Sequence, residues 1–443
     1  MVKGVLRQLF SAESLMGRMI VGFLYLFVYN YLFVNFVYEN FSYMGVDYVP
    51  MSMVSTALWL ILSIAPFLFF RGVRYLSSFI NLLLYFFVYI PFVHALFVVW
   101  GLPWVERYAN AFVLCCFFVL YFYADRGWCL FKNMIITPQI PLRVVEVITL
   151  LLTVVVIAVN HSQMHLVNIF TQMEEMYDFR AENAENRIVA IVYLRGWLTG
   201  AFYPFLLVCY LKKSKYVKSF LIIAAYLVMF MMDMQKLTFL MPFILIVFYL
   251  IVHTYEKKVA NYLHSIMVGC IILFSLVMYL LQDNVIVFSV GTLLMLRTVC
   301  VAGWLTQFYY RFFAENPYTH YAHINIVNAI TNGYPYGDEP LGRVVAYDTQ
   351  NANANFFLTD GIAAWGLGGL VFICLFYLIF LHFITATSYR YKKTDLFVIF
   401  LPTVSYLMNV SIFTTLLTSG MGLVVLLLLM TSNPITTDHE DKH

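Results

Sequence analysis

The sequence predicts an all-α integral membrane protein, a polytopic helical bundle, on three observations. Hydrophobic residues fill 63% of the 443 positions and charged residues only 11%, against roughly 25% charged in a soluble domain. Mean hydropathy is +0.83. The apolar residues also fall in runs of about 20, the length that crosses a bilayer core. A water-soluble fold has no interior large enough to hide this much apolar surface, so lipid must solvate most of the chain. The 33 Tyr and 42 Phe fit the same picture, because aromatic rings favour the headgroup level. Any single ring therefore reads first as lipid-facing or core packing.

Taken in order, spans are expected near 17–38, 52–70, 75–100, 108–124, 144–161 and 188–211, then 217–233, 237–254, 260–281, 361–385, 395–411 and 414–431. The first run is too long for a cleavable signal peptide and lacks a small-residue cleavage site, which predicts a signal-anchor helix. The last two are short and share a tight turn, as packed half-helices would. No internal repeat or low-complexity tract sets off a soluble domain, so residues 1–443 read as one polytopic membrane domain. The polar tail TTDHEDKH is expected to fray.

Lys and Arg collect on the cytoplasmic side of short loops, and this sets the orientation. With both termini cytoplasmic, most of the 26 basic residues fall on that side. The exceptions are Arg107, Arg180, Arg187, Arg195, Lys236, Arg297, Arg311 and Arg343. The apolar stretch 285–313 would reverse Arg390, Lys392 and Lys393 if it crossed the membrane. It is therefore read as re-entrant or interfacial, opening a long external loop of about 282–358; a second external loop covers about 162–187. Long loops in compact proteins are usually functional.

Several function classes drop out. The net charge of +3 implies no nucleic acid, because the positive charges are sorted by side of the membrane. The seven cysteines show no C-x-x-C spacing, so neither a disulfide framework nor a metal site is read. His320 and His323 lack a third ligand at useful spacing, and no metal or other cofactor is expected. No P-loop, Rossmann or G-x-S-x-G signature occurs.

The informative residues are the outward cations. A central Arg costs roughly 2.5–3.5 kcal/mol to insert, so Arg195 either faces a cavity or snorkels to the interface. Arg297 sits within an apolar stretch. A half-buried arginine set suits phosphate or pyrophosphate, which guanidinium binds in bidentate fashion. The rings of the long loop, Tyr310 among them, can stack on sugar faces. The amides of Asn351, Asn353 and Asn355 can bond sugar hydroxyls. Asp233, Gln235 and Lys236 cross a tight turn whose plainer reading is a local ion pair.

Leu296-Arg297, Pro340-Leu341-Gly342, the run from Asn351 to Phe357 (NANANFF) and Gly366-Leu367-Gly368-Gly369 together resemble the Wzy family of O-antigen polymerases. Gln235-Lys236 with Phe239, and Ala201-Phe202-Tyr203-Pro204-Phe205, are similar to further segments of that family. The resemblance covers about the last 240 residues and the outline of about twelve, up to fourteen, spans in a GT-C-like or Wzy-like bundle. One family loop motif, an arginine followed after ten residues by glycine, is absent: Leu198 and Phe308 stand in those places after Arg187 and Arg297.

The resemblance implies a bacterial inner-membrane glycosyltransferase of lipopolysaccharide biosynthesis. Such an enzyme transfers a growing glycan from undecaprenyl pyrophosphate onto a new lipid-linked repeat unit at the periplasmic face, beside a flippase and a chain-length regulator. The important loop arginines of the family would correspond to Arg180, Arg187, Arg297 and Arg311. Arg297, then Arg187 or Arg195, would meet the charge on the departing pyrophosphate, with Arg343, Lys236 and the loop Asn and Tyr residues holding substrate. Asp360 and Glu315 are candidate bases, although acids at helix starts are common for other reasons. Two alternatives stay open: an O-antigen ligase, with the same span plan, and a multi-span flippase or transporter, which tends to show inverted repeats.

Overall fold

The computed structural model describes residues 9–98, 104–124, 129–165, 188–347, 350–353 and 356–432. In chain order its principal helices are α1 (Leu15–Met44), α2 (Met53–Phe67), α3 (Leu76–Val98), α4 (Val105–Ala124), α5 (Leu142–Asn160), α6 (Val189–Lys212), α7 (Tyr216–Asp233), α8 (Lys236–Thr254) and α9 (Glu256–Leu280). There follow α10 (Val285–Met295), α11 (Thr306–Phe313), α12 (Asn325–Thr331), α13 (Leu358–Trp365), α14 (Leu367–Thr387), α15 (Lys393–Leu407), α16 (Ile412–Leu417) and α17 (Met421–Met430). The described residues form no strand beyond an isolated bridge between Ile140 and Thr431. In lipid every backbone N–H and C=O must find a partner within the chain, and an apolar run does so locally only as a helix.

Nine of these helices, α1 and α3 to α9 with α14, are long and apolar enough to cross a membrane. The sequence-predicted span 52–70 is the 15-residue α2, and 395–411 is the 15-residue α15. The span placed at 361–385 starts instead at Leu367, because Gly366 (φ +59°) breaks α13 from α14. The final span divides at Gly420 (φ +85°) into α16 and α17. The segment 282–358, expected as an external loop, is helical over most of its first part: α10 runs through a π turn at Leu296–Cys300 into a short helix, Val301–Trp304, and α11 follows.

The chain gathers into two compact units. The first comprises residues 1–129, 257–382 and 407–411. Its core is α3, 89% buried over its most apolar window. Because α3 lies inside the unit, its polar groups need partners. Asn81 donates to the Tyr121 carbonyl (3.2 Å) and accepts from the Tyr377 hydroxyl (3.1 Å). His94 meets Asn30 at 3.0 Å. Gly303 lets its segment reach the α3 backbone, since a Cβ there would lie 2.1 Å from the Pro91 carbonyl oxygen.

The second unit comprises residues 130–256, 383–406 and 412–443. Here α6 carries Gly196 and Gly200, whose missing side chains admit the Thr418 and Ser419 carbonyl oxygens (2.0 Å or less from a would-be Cβ). Trp197 donates to the Leu417 carbonyl at 2.6 Å. Arg390 covers the end of α17, donating to the Leu429 carbonyl at 2.7 Å, as cations at helix C-termini do. A buried charge cluster centres on Asp395, whose side chain is 0% exposed. It pairs with Lys212 at 3.2 Å and His253 at 2.8 Å.

Candidate functional site

The residues that carry the most chemistry lie in the first unit, between α10 and α14. The order starts at α11. Its inner face is apolar and buried, and its neighbours fix it to the loop after α1. Trp304 and Gln307 both donate to the Gly45 carbonyl (3.0 and 2.7 Å), and Arg311 pairs with Asp47 at 2.5 Å. On α11 the Tyr310 ring turns inward, edge-on to Phe92, rather than toward solvent. Phe312 meets Tyr336 and Tyr347 (5.2 and 5.7 Å between ring centres), and Phe313 stacks on Tyr318. The exposed aromatic faces here belong to Tyr318, Tyr347 and Trp365.

Two of the runs singled out in the sequence pack against each other. The Gly342 carbonyl accepts from the Ala352 amide at 2.9 Å. A Cβ on Gly342 would lie 2.0 Å from the Asn353 side-chain oxygen and 2.8 Å from that of Asn351. The Asn351 side chain in turn accepts from the Asn353 amide at 3.1 Å, a local turn that asparagine favours. Arg343 follows Gly342 and is exposed, and its guanidinium makes no hydrogen bond or ion pair with the described residues. Arg297 is likewise exposed and unpartnered among them, and it sits in the π turn at Leu296–Cys300. A π turn is frequently found at functional positions.

Beneath this surface lies a polar pair. His320 and Tyr321 both adopt positive φ (49° and 65°), a conformation costly for such residues and held only where surroundings enforce it. The enforcing contacts run from Thr319 N to Ala363 O (2.9 Å) and from His320 N to Ala364 O (3.3 Å). They satisfy carbonyls at the end of α13 that have no partner inside their own helix. The Thr319 hydroxyl also lies 3.1 Å from the Ala363 carbonyl oxygen and 2.7 Å from His323 Nδ1. His323 Nε2 then faces Asp360 Oδ1 across 3.5 Å, with both side chains at most 10% exposed. Neither Nε2 nor Asp360 Oδ2 has another partner among the described residues.

Outside the membrane-spanning helices, Tyr334 donates to the Glu339 carbonyl at 2.9 Å. Burial, with Tyr336 and Glu339 nearby, pushes its phenol up to about 12, so it stays a donor at neutral pH.

The other sequence-predicted residues are placed as follows. Arg195 and Lys236 belong to the second unit. Arg195 is half-buried in the first stretch of α6, and its carbonyl accepts from Thr199. Lys236 starts α8. The Asp233 carboxylate just before it accepts from Gln235 N (2.9 Å) and Thr238 Oγ1 (2.8 Å). Arg180, Arg187 and Asn355 lie outside the described residues. Sequence reasoning weighed His323 only as a metal ligand and missed its place beside Asp360. It also missed Asp47 and Trp365, which no local pattern marks. Among the described residues no three His, Cys, Asp or Glu side chains gather as a metal site.

The chain matches no protein-family model, no curated protein and no solved structure.

Proposed function

We propose that this protein is an inner-membrane polymerase of undecaprenyl-pyrophosphate-linked oligosaccharide repeat units, acting at the periplasmic face. In this reading about twelve spans cross the membrane, both termini are cytoplasmic and residues 282–358 face the periplasm. An acceptor sugar hydroxyl attacks the anomeric carbon of the donor glycan. The bond from that carbon to the diphosphate breaks, undecaprenyl diphosphate leaves, and the hydroxyl proton passes to the enzyme.

The observation that carries the reading is the pair of exposed guanidinium groups, Arg297 and Arg343, with no hydrogen bond or ion pair among the described residues. Such groups give up no internal partner on meeting a diphosphate, and fixed cations near a leaving group stabilise the charge that develops there. Gly342, next to Arg343 in the chain, abuts the Asn351 and Asn353 side chains, whose amides suit sugar hydroxyls. Asp360, with His323 beside it, is the proton acceptor in this scheme. Arg311, already paired with Asp47, has the weaker claim to a phosphate.

The test is reconstitution of the purified full-length protein with lipid-linked repeat units. A ladder of chain lengths without any other protein is expected. Arg297→Ala, Arg343→Ala and Asp360→Asn should each abolish long chains while the protein still inserts. Arg297→Lys should also fail, because an ammonium cannot reproduce bidentate recognition. Transfer of finished polymer to lipid A core, with no ladder, would replace the polymerase by a ligase.

A further inference from the structure

Three segments of the first unit meet at the ends of four apolar helices: residues 10–14 before α1, residues 71–74 between α2 and α3, and the first turns of α9. Backbone hydrogen bonds join them, from Ala12 N to Asn261 O (3.0 Å) and from Val73 N to Ala260 O (2.8 Å), and Ser265 donates to the Phe10 carbonyl at 2.7 Å. Gly72 (φ +87°) makes the approach possible, since a Cβ there would stand 2.6 Å from the Ala260 carbonyl oxygen. With Gly72 and Val73 buried, Arg71 and Arg74 are exposed on either side of them, and Lys257 and Lys258 are exposed one turn before Ala260. Nothing in the described residues neutralises Arg71, Arg74 or Lys257 by hydrogen bond or ion pair.

The contrast with other basic residues is informative. Lys212 has Asp395, Lys218 has Glu146, and Lys392 and Lys393 share Glu256, the carboxylate that precedes Lys257 in the chain. Arg18, beside the same patch, is buried and donates to the Ala12 carbonyl at 2.7 Å. Glu13 is the remaining acid in these segments, and it forms no ion pair with any of the cations. Three fixed positive charges thus stand uncompensated where apolar helices end, the level at which lipid headgroups lie. From this geometry we infer that Arg71, Arg74 and Lys257 form a binding site for the phosphate headgroup of an anionic phospholipid. The Val73–Ala260 backbone bond holds the segment of Arg71 and Arg74 against the start of α9, where Lys257 lies. It is independent of the reaction proposed above.

The experiment uses the full-length protein, equilibrated with vesicles of equal parts phosphatidylglycerol and phosphatidylethanolamine, then extracted and examined by native mass spectrometry. Wild-type protein should retain the anionic lipid in preference to the zwitterionic one. A single basic residue near a headgroup is worth about fivefold in anionic-lipid affinity, so Arg71→Gln, Arg74→Gln and Lys257→Gln together should weaken retention about a hundredfold. Lys218→Gln should change it less than about twofold, because that lysine already has Glu146 to itself. If the triple variant fails to insert, each single variant still tests the site through its own fivefold loss. Equal retention of the two lipids, or undiminished retention in the variants, would overturn the site. Displacement of the lipid by millimolar inorganic phosphate would overturn the lipid as its occupant.

Discussion

Gly361 and Gly369 provide a sharp test of how the buried His323–Asp360 pair is held. The two helices α13 and α14 cross at these residues. A Cβ on Gly361 would lie 2.3 Å from the Gly369 carbonyl oxygen, and one on Gly369 would lie 1.9 Å from that of Gly361. Ordinary contact begins at 3.4 Å, so a methyl group must push the helices apart by about 1.1 Å in Gly361→Ala and 1.5 Å in Gly369→Ala. Both obstacles are backbone, which no rotamer change can clear. Overpacking of this kind costs about 1–3 kcal/mol. Gly368 is the internal control: a Cβ there meets nothing within 4 Å, and alanine gains up to about 1 kcal/mol in helix propensity. Thermal unfolding in detergent should rank Gly368→Ala at or above wild type, then Gly361→Ala, then Gly369→Ala. The displacement also reaches Asp360, the neighbour of Gly361, and Tyr321, whose hydroxyl lies 3.5 Å from the Gly369 carbonyl. On the proposed function, chain-length ladders should therefore shorten in the two destabilised variants and not in Gly368→Ala. Equal melting of all three would refute the close crossing, and with it the account of how the pair is positioned.

Other outcomes follow from the same geometry. Asp395→Asn leaves Lys212, only 16% exposed, facing a neutral amide; breaking a buried pair costs about 3–5 kcal/mol, and the lower end is expected, read as a fall in melting temperature. Arg311→Ala removes an ion pair whose members are more than a third exposed, so about 1 kcal/mol or less should be lost; a larger loss of chain length than of stability would show that Arg311 touches substrate. On the proposed function, Gly342→Ala drives a methyl group into the Asn351 and Asn353 side chains and should cut polymer synthesis at least tenfold, about 1.4 kcal/mol, with little change in melting, because those two side chains are exposed and can give way.

Much of the helical plan was legible because an apolar run in lipid has one way to satisfy its backbone. The expected spans 144–161, 217–233 and 237–254 fall within a residue or two of α5, α7 and α8. The break at Gly366 was not legible, since glycine is tolerated inside membrane helices and only its positive φ ends α13. Partners distant in sequence were equally hidden. Arg311 looked like a phosphate ligand until Asp47, 264 positions away, came beside it. The ring of Tyr310 looked available for a sugar, but α11 has aromatic residues on most of its circumference, and nothing local tells which side will be covered. His323 was weighed only for metal binding because its spacing to His320 was visible and its approach to Asp360 was not.

The π turns have a consequence of their own. They occur at Phe33–Tyr38, Tyr85–Tyr89, Leu198–Phe202 and Leu296–Cys300. Each inserts an extra residue into a ladder that would otherwise close every four, and so swings all that follows by about 100°. Trimming one position from 296–300 would let that rod heal into regular winding, turning Arg297 away from its present bearing relative to Trp304 and Gln307 with no change in composition to speak of. A shortened chain that inserts normally yet handles no anion would show that angular bearing, rather than mere presence of a cation, is what this part of the molecule preserves.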